Sequence, residues 1–249
     1  MRDTKAFLAQ LITREALKVL RTRSRRREDY VGPWLPEPLL LEDHDPESDV
    51  VLAESVSMAM LVLLETLSPD ERAVFVLREV FDFDYDEIAG AVGKSVPAVR
   101  QVAHRSREHV RARRKRFDPV PAAQTTELAE EFIHAATTGD LDRLLSLLAP
   151  GATFTTDHRG KAPAVARPVE GAKKVANLVM GFFRNRHRVP DLRLEATNCN
   201  HAPAVLVYTG DHLEAVVLLE IVDGAITNLY ATRNPDKLAA VAAPRTITR

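Results

Sequence analysis

The chain contains 249 residues, 45% of them hydrophobic and 28% charged, and its formal net charge is −1. This length favours two domains over one, and the near-zero charge excludes a uniformly basic nucleic-acid binder. The charge is nevertheless uneven, because basic residues cluster in 21–27 and 100–116 and acidic residues cluster in 37–54. Phosphate groups respond to such local patches, so the basic segments remain candidates for binding nucleic acid.

The single cysteine, Cys199, excludes an intramolecular disulfide and fits a reducing cytosol. The sequence has no apolar run long enough to span a bilayer and no signal-peptide core at its N-terminus. We therefore expect a cytoplasmic protein with no membrane partner. The scattered histidines lack metal-ligand spacing, so neither a metal site nor a catalytic cofactor is predicted.

Residues 3–27 are predicted to form one helix, because hydrophobic side chains recur there at helical spacing. The resulting apolar face consists of Phe7, Leu8, Leu11, Ile12, Ala16, Val19 and Leu20. Since a lone helix cannot bury such a face, the segment 1–30 is expected to end a larger helical domain or to dock elsewhere. The segment 31–48, rich in proline and acidic residues, is predicted to be a linker whose Trp34 fills an apolar pocket.

Residues 49–116 are predicted to form a domain of four helices, the first of them at about 50–66. The pattern of a capping box starts two of these helices, at Ser68–Glu71 and at Asp84–Glu87. Gly93 suits the left-handed position that ends the third helix. These local signals predict an all-α domain.

The pattern changes after a second predicted linker at 117–125, which contains two prolines. Residues 126–240 contain two helices, a strand, a third helix near 171–184 and then a series of strands. The predicted strands are 152–156, 192–197, 204–208, 213–222 and 225–231. Helices followed by a meander of strands favour an α+β fold, a curved antiparallel sheet wrapped around helices. Residues 241–249 are expected to be a flexible tail.

The segment 85–107 has the pattern of a helix-turn-helix unit, with a short helix, a turn at Gly93 and a longer helix. One face of the longer helix is predicted to pack inward through Val99, Val102, Ala103, Ser106 and Val110. The other face carries side chains that can reach base edges or phosphates. The predicted DNA-binding residues are Ser95, Ala98, Arg100, Gln101, His104, Arg105, Arg107 and Arg111. A four-helix bundle with a solvated basic tail is the alternative.

Three separated parts of the chain resemble one protein family, and the last of these parts, the C-terminal half, does so at two places. LSPDERAVFVLREVFDFDYDEIAGAVGKSVPAVRQVAHRSREHV, residues 67–110, resembles region four of the extracytoplasmic-function sigma factors of RNA polymerase. YVGPWLPEPLL, residues 30–40, resembles the linker between sigma domains two and four in the sigma-factor-J-like group, whose members carry a SnoaL-like C-terminal domain. DHRGKAPAVARPVEGAKKV at 157–175 resembles the group's glycine–lysine loop, with His158 and Arg159 where the group usually has glycines. NPDKL at 234–238 resembles its C-terminal signature.

The resemblance implies a helix-turn-helix sigma-4 domain joined to a SnoaL-like α+β cone. It implies that the protein works with the RNA polymerase core and that residues 95–111 read the minus-35 element of promoter DNA. It further implies that the C-terminal domain contacts the sigma core and tunes its activity, in place of a separate anti-sigma protein. The residues implied in this interdomain regulatory contact are Trp34, Asp157, Gly160, Lys161, Asn234, Pro235, Asp236, Lys237 and Leu238. Residues 2–27 resemble the last helix of sigma domain two, so the segments that bind the polymerase clamp would precede Met1.

SnoaL-like domains sometimes catalyse proton transfer, which needs a carboxylate or histidine facing an apolar cavity. The candidates here are Asp157, His158, His201, Asp211, His212, Glu214 and Glu220. No His–Asp pair at catalytic spacing is evident, so the sequence favours a protein that is not an enzyme. A small-molecule ligand in the C-terminal domain remains the alternative, which would make the protein a ligand-sensing DNA-binding regulator.

Overall fold

The computed structural model describes residues 4–27, 32–40, 56–113, 122–184, 189 and 191–242. The chain divides into two compact units, one formed by 1–30 and 60–115 and the other by 31–59 and 116–248. The predicted linker 31–48 is thus grouped with the C-terminal residues. No helix among the described residues is long and apolar enough to cross a membrane.

The first unit is helical. Its described elements are α1 (Thr4–Arg27), α2 (Met58–Leu64, whose first two residues are grouped with the second unit), α3 (Pro69–Phe75), a π-helical turn (Val76–Val80), α4 (Tyr85–Val92) and α5 (Val96–Arg113). The predicted capping box is confirmed, because the Glu71 carboxylate accepts a hydrogen bond from the Ser68 N–H at 3.1 Å while the Ser68 hydroxyl caps the Glu71 N–H. Helix α2 begins at Met58, after a turn at Val56 and Ser57, and the first residues of the predicted helix 50–66 lie outside the described ranges.

Helix α1 packs within the first unit through a side other than its apolar face. Thr13 and Leu17 are buried, whereas Phe7 and Ile12 of the predicted apolar face are 61% and 66% exposed. The Gln10 amide donates a hydrogen bond to the Gly90 carbonyl of α4 at 2.8 Å. Periodicity located the helix but not its packed face, because small and polar side chains make the contact with α4.

The second unit combines helices with one sheet. Its described elements are α6 (Ala122–Thr138), α7 (Leu141–Leu147), β1 (Leu148–Asp157), β2 (Val169–Glu170), α8 (Ala172–Arg184), β3 (Leu192–Cys199), β4 (Ala202–Thr209), β5 (His212–Val222), β6 (Ala225–Thr232), α9 (Pro235–Leu238) and a 3-10 turn (Ala239–Ala242). Helix α6 starts within the predicted linker 117–125, and α9 was not predicted from the sequence. Of the predicted tail 241–249, residues 243–249 lie outside the described ranges.

The strand order is β2-β1-β6-β5-β4-β3. The predicted α+β fold class is confirmed, but the sheet is mixed rather than wholly antiparallel, because β1 pairs with β6 in parallel. One face of the sheet packs against α6, α7 and α8 around a core that includes Leu144, Val175 and Leu219. Since side chains alternate along a strand, Glu214 and Glu220 of β5 point away from this core.

Candidate DNA-binding helix and linker anchor

The turn between α4 and α5 has the local geometry of a helix-turn-helix unit. Gly93 ends α4 in the left-handed conformation with φ of 69°, and its N–H donates to the Ala89 carbonyl at 2.9 Å. The Ser95 carbonyl accepts the first helical hydrogen bond of α5 from the Val99 N–H at 3.0 Å. Glycine reaches this conformation without steric cost, so the turn follows from the sequence.

The two faces of α5 differ sharply in burial. The predicted inward face is buried as expected, since Val99, Val102, Ala103, Ser106 and Val110 all have little exposure. Among the predicted DNA-binding residues, Ala98 and Arg107 are half-buried, and the exposed ones are Ser95, Arg100, Gln101, His104, Arg105 and Arg111. The helix therefore presents a continuous polar surface to solvent while its valines hold it against the core.

Arg107 departs from the predicted outward orientation. Its Nη2 and Nε donate to the Glu79 Oε1 at 2.6 and 3.1 Å, and its side chain is 34% exposed. The Glu79 carboxylate, helped by the Tyr85 hydroxyl, raises the pKa of Arg107. An arginine whose donors already serve a carboxylate has fewer left for DNA, so Arg107 is a weaker candidate than its neighbours.

A buried cluster in the second unit fastens the linker to the sheet domain. The Lys237 Nζ lies 2.5 Å from the Asp157 Oδ2, and the two side chains are 8% and 0% exposed. The same carboxylate oxygen accepts the Leu35 N–H at 2.9 Å, while the Leu35 carbonyl accepts a hydrogen bond from the Lys237 ammonium. We call Trp34, Leu35, Asp157 and Lys237 the linker anchor.

The indole ring of Trp34 faces a cation. The Lys237 Nζ lies 4.0 Å from the centroid of its indole ring. The ammonium thus meets a carboxylate, a carbonyl and an aromatic face, which together offset the loss of water around a buried charge. This arrangement explains why a lysine can be buried here.

The two segments beside the anchor, 158–161 and 234–238, are held together by surface ion pairs. Asp236 contacts Arg159 at 2.5 Å and Lys161 at 2.8 Å. Hydrogen bonds from Lys161 and then Arg159 hold the pKa of Asp236 below its ordinary value. Arg159 and Gly160 both have positive φ, of 50° and 68°, a conformation that glycine adopts without steric cost.

The His158 imidazole lies against the backbone of the linker at Gly32. A Cβ placed on Gly32 would lie 2.7 Å from the His158 Nε2, so the linker backbone passes directly over the imidazole. The Gly160 N–H donates to the His158 Nδ1 at 3.0 Å. A side chain at position 32 would therefore clash with the imidazole, and the φ of Gly32, 85°, also favours glycine.

Most residues implied in the interdomain contact therefore lie close together within the second unit. Asp157, Asn234, Lys237 and Leu238 are buried and Trp34 is half-buried. The exposed members of this group are Gly160, Lys161, Pro235 and Asp236. Asn234 caps α9, since its Oδ1 accepts the Asp236 N–H at 3.2 Å.

Sequence reasoning missed Asn200, a fully buried residue in the turn between β3 and β4. Its Oδ1 accepts the Leu39 N–H at 2.9 Å, and its own N–H donates to the Leu39 carbonyl at 2.9 Å. Its Nδ2 donates to the Val56 carbonyl at 2.7 Å. One side chain thus holds both flanks of the segment 40–55. The available signal was an asparagine between two β-rich runs, since asparagine tolerates the positive φ, here 54°, of tight turns.

Two of the carboxylates considered for catalysis, Glu220 and Glu214, contact neighbouring side chains of the second unit. Glu220 accepts hydrogen bonds from the Asn228 amide at 2.6 Å and the Tyr230 hydroxyl at 2.8 Å. Burial and the neighbouring Glu220 raise the pKa of Tyr230, so its hydroxyl remains protonated. Glu214 lies 3.8 Å from Arg233. Burial lowers the pKa of His201, which favours its neutral form.

No group of His, Cys, Asp and Glu that could hold a metal ion occurs in the described ranges. Burial raises the pKa of the Cys199 thiol to about 12, so this residue is not a thiolate nucleophile at neutral pH. A cavity of about 500 Å³ lies between α6 and β3 and is lined by polar groups that include Glu130, His134 and Glu195.

Comparison with known proteins identifies the family. Residues 57–110 match the family described as Sigma-70, region 4. The ECF RNA polymerase sigma factor SigJ of Mycobacterium tuberculosis is 35% identical over 246 residues, which cover 94% of this chain and 78% of SigJ. The chain belongs to the extracytoplasmic-function (ECF) sigma factors. It is also 32% identical to a probable ECF RNA polymerase sigma factor of the same organism, SigI, over 95% of this chain and 79% of SigI.

The fold of this sigma factor agrees with that family. The crystal structure of M. tuberculosis SigJ matches it with a TM-score of 0.74 at 30% identity, covering 97% of this chain and 84% of SigJ. The predicted resemblance is therefore confirmed, and the sigma factor acts in promoter recognition and transcription initiation with RNA polymerase. Region 4 contains α2, α3, α4 and most of α5, so the helix-turn-helix unit lies in the segment shared with the family.

Proposed function

We propose that this sigma factor reads the minus-35 element of its promoters through the exposed face of α5. The observation that carries the proposal is the division of that helix into a buried valine face and a solvent-facing polar face. Arg100 and Gln101 are exposed on this face, and both kinds of side chain can bind base edges in the major groove through paired hydrogen bonds. Ser95 lies at the helix N-terminus, where backbone N–H groups favour a phosphate.

The remaining residues of the face have supporting roles. His104 continues the face along the helix, with Ala98 between it and the helix start. Arg105 and Arg111 are exposed cations suited to phosphate contacts, which add affinity without sequence information. Arg107 pairs with Glu79 and is not assigned a contact with DNA.

The test is DNA binding by the full chain in complex with RNA polymerase core. A duplex would first be selected from a randomised library with the wild-type protein. We expect Gln101→Ala to weaken binding of this duplex by about tenfold and to relax the preference at one base position. The matched control is Lys173→Ala, which removes an exposed charge from α8 and leaves binding unchanged. A Gln101→Ala variant with full affinity and full base preference would contradict the proposal.

We also propose that the C-terminal domain restrains the sigma factor by holding its linker. The anchor fixes the backbone at Leu35, and Asn200 fixes it again at Leu39 and Val56. Val56 precedes α2 by only two residues, so the hold extends to the start of region 4. Because the domain is fused to the sigma segments, it acts at a fixed high local concentration without a separate anti-sigma protein.

The restraint is tested with the only tryptophan of the chain as the reporter. The double variant Asp157→Asn/Lys237→Met removes both charges of the pair. The fluorescence emission maximum of Trp34 should then shift, because the Lys237 ammonium no longer lies over the indole ring. Transcription from the selected promoter with RNA polymerase core should rise. The control Lys174→Met changes an exposed lysine of α8 and should alter neither signal. A shift of Trp34 emission with unchanged transcription would rule out regulation by this contact.

These assignments carry three consequences. The partners are RNA polymerase core and promoter DNA, and no small-molecule ligand is required. The sigma factor is not an enzyme, because the second unit acts by holding a peptide segment. It works in the bacterial cytoplasm, where the chromosome is transcribed.

A further inference from the structure

We propose that Tyr85, the first residue of α4, positions Arg100 for base reading. This inference rests on the proposed function of α5 and adds a residue outside that helix to the DNA-binding apparatus. Tyr85 was not among the residues predicted to bind DNA. Its role is to act through Arg100, so it is a positioning residue.

The Tyr85 ring contacts two guanidinium groups. The Cζ of Arg100 lies 5.5 Å from the ring centroid and the Cζ of Arg78 lies 5.0 Å from it. Arg78 is itself fixed, since its Nη1 donates to the Phe83 carbonyl at 2.8 Å. The half-buried ring is thus held by the first unit while Arg100 projects from α5 into solvent.

The cation–π contact with Tyr85 leaves the N–H donors of Arg100 available for hydrogen bonds to DNA. A cation over an aromatic ring is attracted to the face of the ring and does not use its N–H donors on an acceptor. Arg107, two helical turns further on and also beside Tyr85, instead donates two hydrogen bonds to Glu79. Arg100 therefore keeps its N–H groups for a base, whereas Arg107 does not.

Positioning of this kind contributes through conformational entropy. An exposed arginine populates many rotamers, and fixing them on binding costs affinity. A ring that already restricts the guanidinium lowers this cost before DNA arrives. The expected benefit at an exposed site corresponds to about two- to fivefold in affinity.

The experiment is a double-mutant cycle, measured by binding of the selected duplex to the full chain in complex with RNA polymerase core. Tyr85→Leu should weaken binding by about threefold, and Tyr85→Phe, which keeps the ring, should bind as the wild type does. In an Arg100→Ala background, Tyr85→Leu should have no further effect. Phe81→Leu, which removes an exposed aromatic ring of the first unit, is the control and should leave affinity unchanged.

A second substitution distinguishes loss of the cation–π contact from a folding defect in Tyr85→Leu. Pentafluorophenylalanine at position 85 keeps the shape of the ring but removes the negative charge of its face, and should weaken binding as leucine does. The base preference lost in Arg100→Ala should be partly lost in this variant too.

Two results would overturn the inference. The first is an equal loss from Tyr85→Leu with and without Arg100, which would mean that Tyr85 touches DNA itself. The second is full affinity with the fluorinated ring. Absence of sequence-specific, salt-dependent duplex binding by the wild type would instead overturn the proposed function of α5, and the inference with it.

Discussion

The exposed face of α5 and the linker anchor both depend on cationic side chains, but in opposite environments. Arg100, Arg105 and Arg111 lie in solvent, where a charge costs little stability and remains available to a phosphate. Lys237 is buried against Asp157. Removing either side chain would leave the other charge buried and unpaired, which strongly destabilises the fold. Charges that are available to an external partner are thus left solvated, whereas charges that organise the chain itself are desolvated and paired.

The largest effect should come from breaking the anchor. Lys237→Ala leaves the Asp157 carboxylate buried without its cation, which should lower the free energy of unfolding of the second unit by about 3–5 kcal/mol. Urea denaturation of the full chain measures this. The double variant Asp157→Asn/Lys237→Met should recover much of the loss, since no unpaired charge remains. A loss below about 1 kcal/mol for Lys237→Ala would mean that the pair is solvated.

The next effect should come from the Asn200 turn. Asn200→Gly tolerates the positive φ but leaves the Leu39 N–H and the Val56 carbonyl without their side-chain partners, at a cost of about 1–3 kcal/mol. Hydrogen exchange at the Leu39 amide should accelerate accordingly. The neighbouring His201→Gly shares the positive φ and serves as the control, with no loss of protection at Leu39. Equal exchange rates in the two variants would remove Asn200 from the set of linker contacts.

A smaller effect is expected on the salt dependence of DNA binding, and it should differ between Arg105 and Arg107 of α5. Arg105→Ala should reduce the slope of log affinity against log salt by about one, as expected for one lost phosphate contact. Arg107→Ala should change that slope much less, because Glu79 already neutralises its charge. Titration of duplex binding at several salt concentrations distinguishes the two. Equal slopes for both variants would show that Arg107 leaves Glu79 to bind DNA.

The smallest effect concerns the exposed ion pairs of Asp236. Its pKa is held below the ordinary value, so the associated stabilisation is complete above the unfolded-state pKa, near 3.8, and is lost as pH falls through the lower folded-state value. Arg159→Gly should raise the pKa of Asp236 towards its ordinary value and relieve the positive φ at 159. Carboxyl NMR titration checks the direction. A pKa of Asp236 that does not move would assign the shift to Lys161 alone.

The candidate site was predictable in unequal parts. The helix-turn-helix unit follows from capping residues, Gly93 and the valine spacing, all within one short segment. The anchor residues Trp34, Asp157 and Lys237 came from resemblance to a family, not from any pattern that brings them together. Asn200 came from neither, because its partner Leu39 lies 161 residues away.

The sequence by itself therefore determined the capped starts of α3 and α4, the end of α4 at Gly93, the buried face of α5 and the α+β character of the second half, because these depend on neighbours within a few turns or strands. Tertiary structure alone decided the packed side of α1, the parallel pairing of β1 with β6 and the turning of Arg107 towards Glu79. It also brought Lys237 to Asp157 across 80 residues. Such pairings depend on which surfaces pack together in the folded protein. The sequence around a polar side chain does not indicate which distant residue will bury it and pair with it.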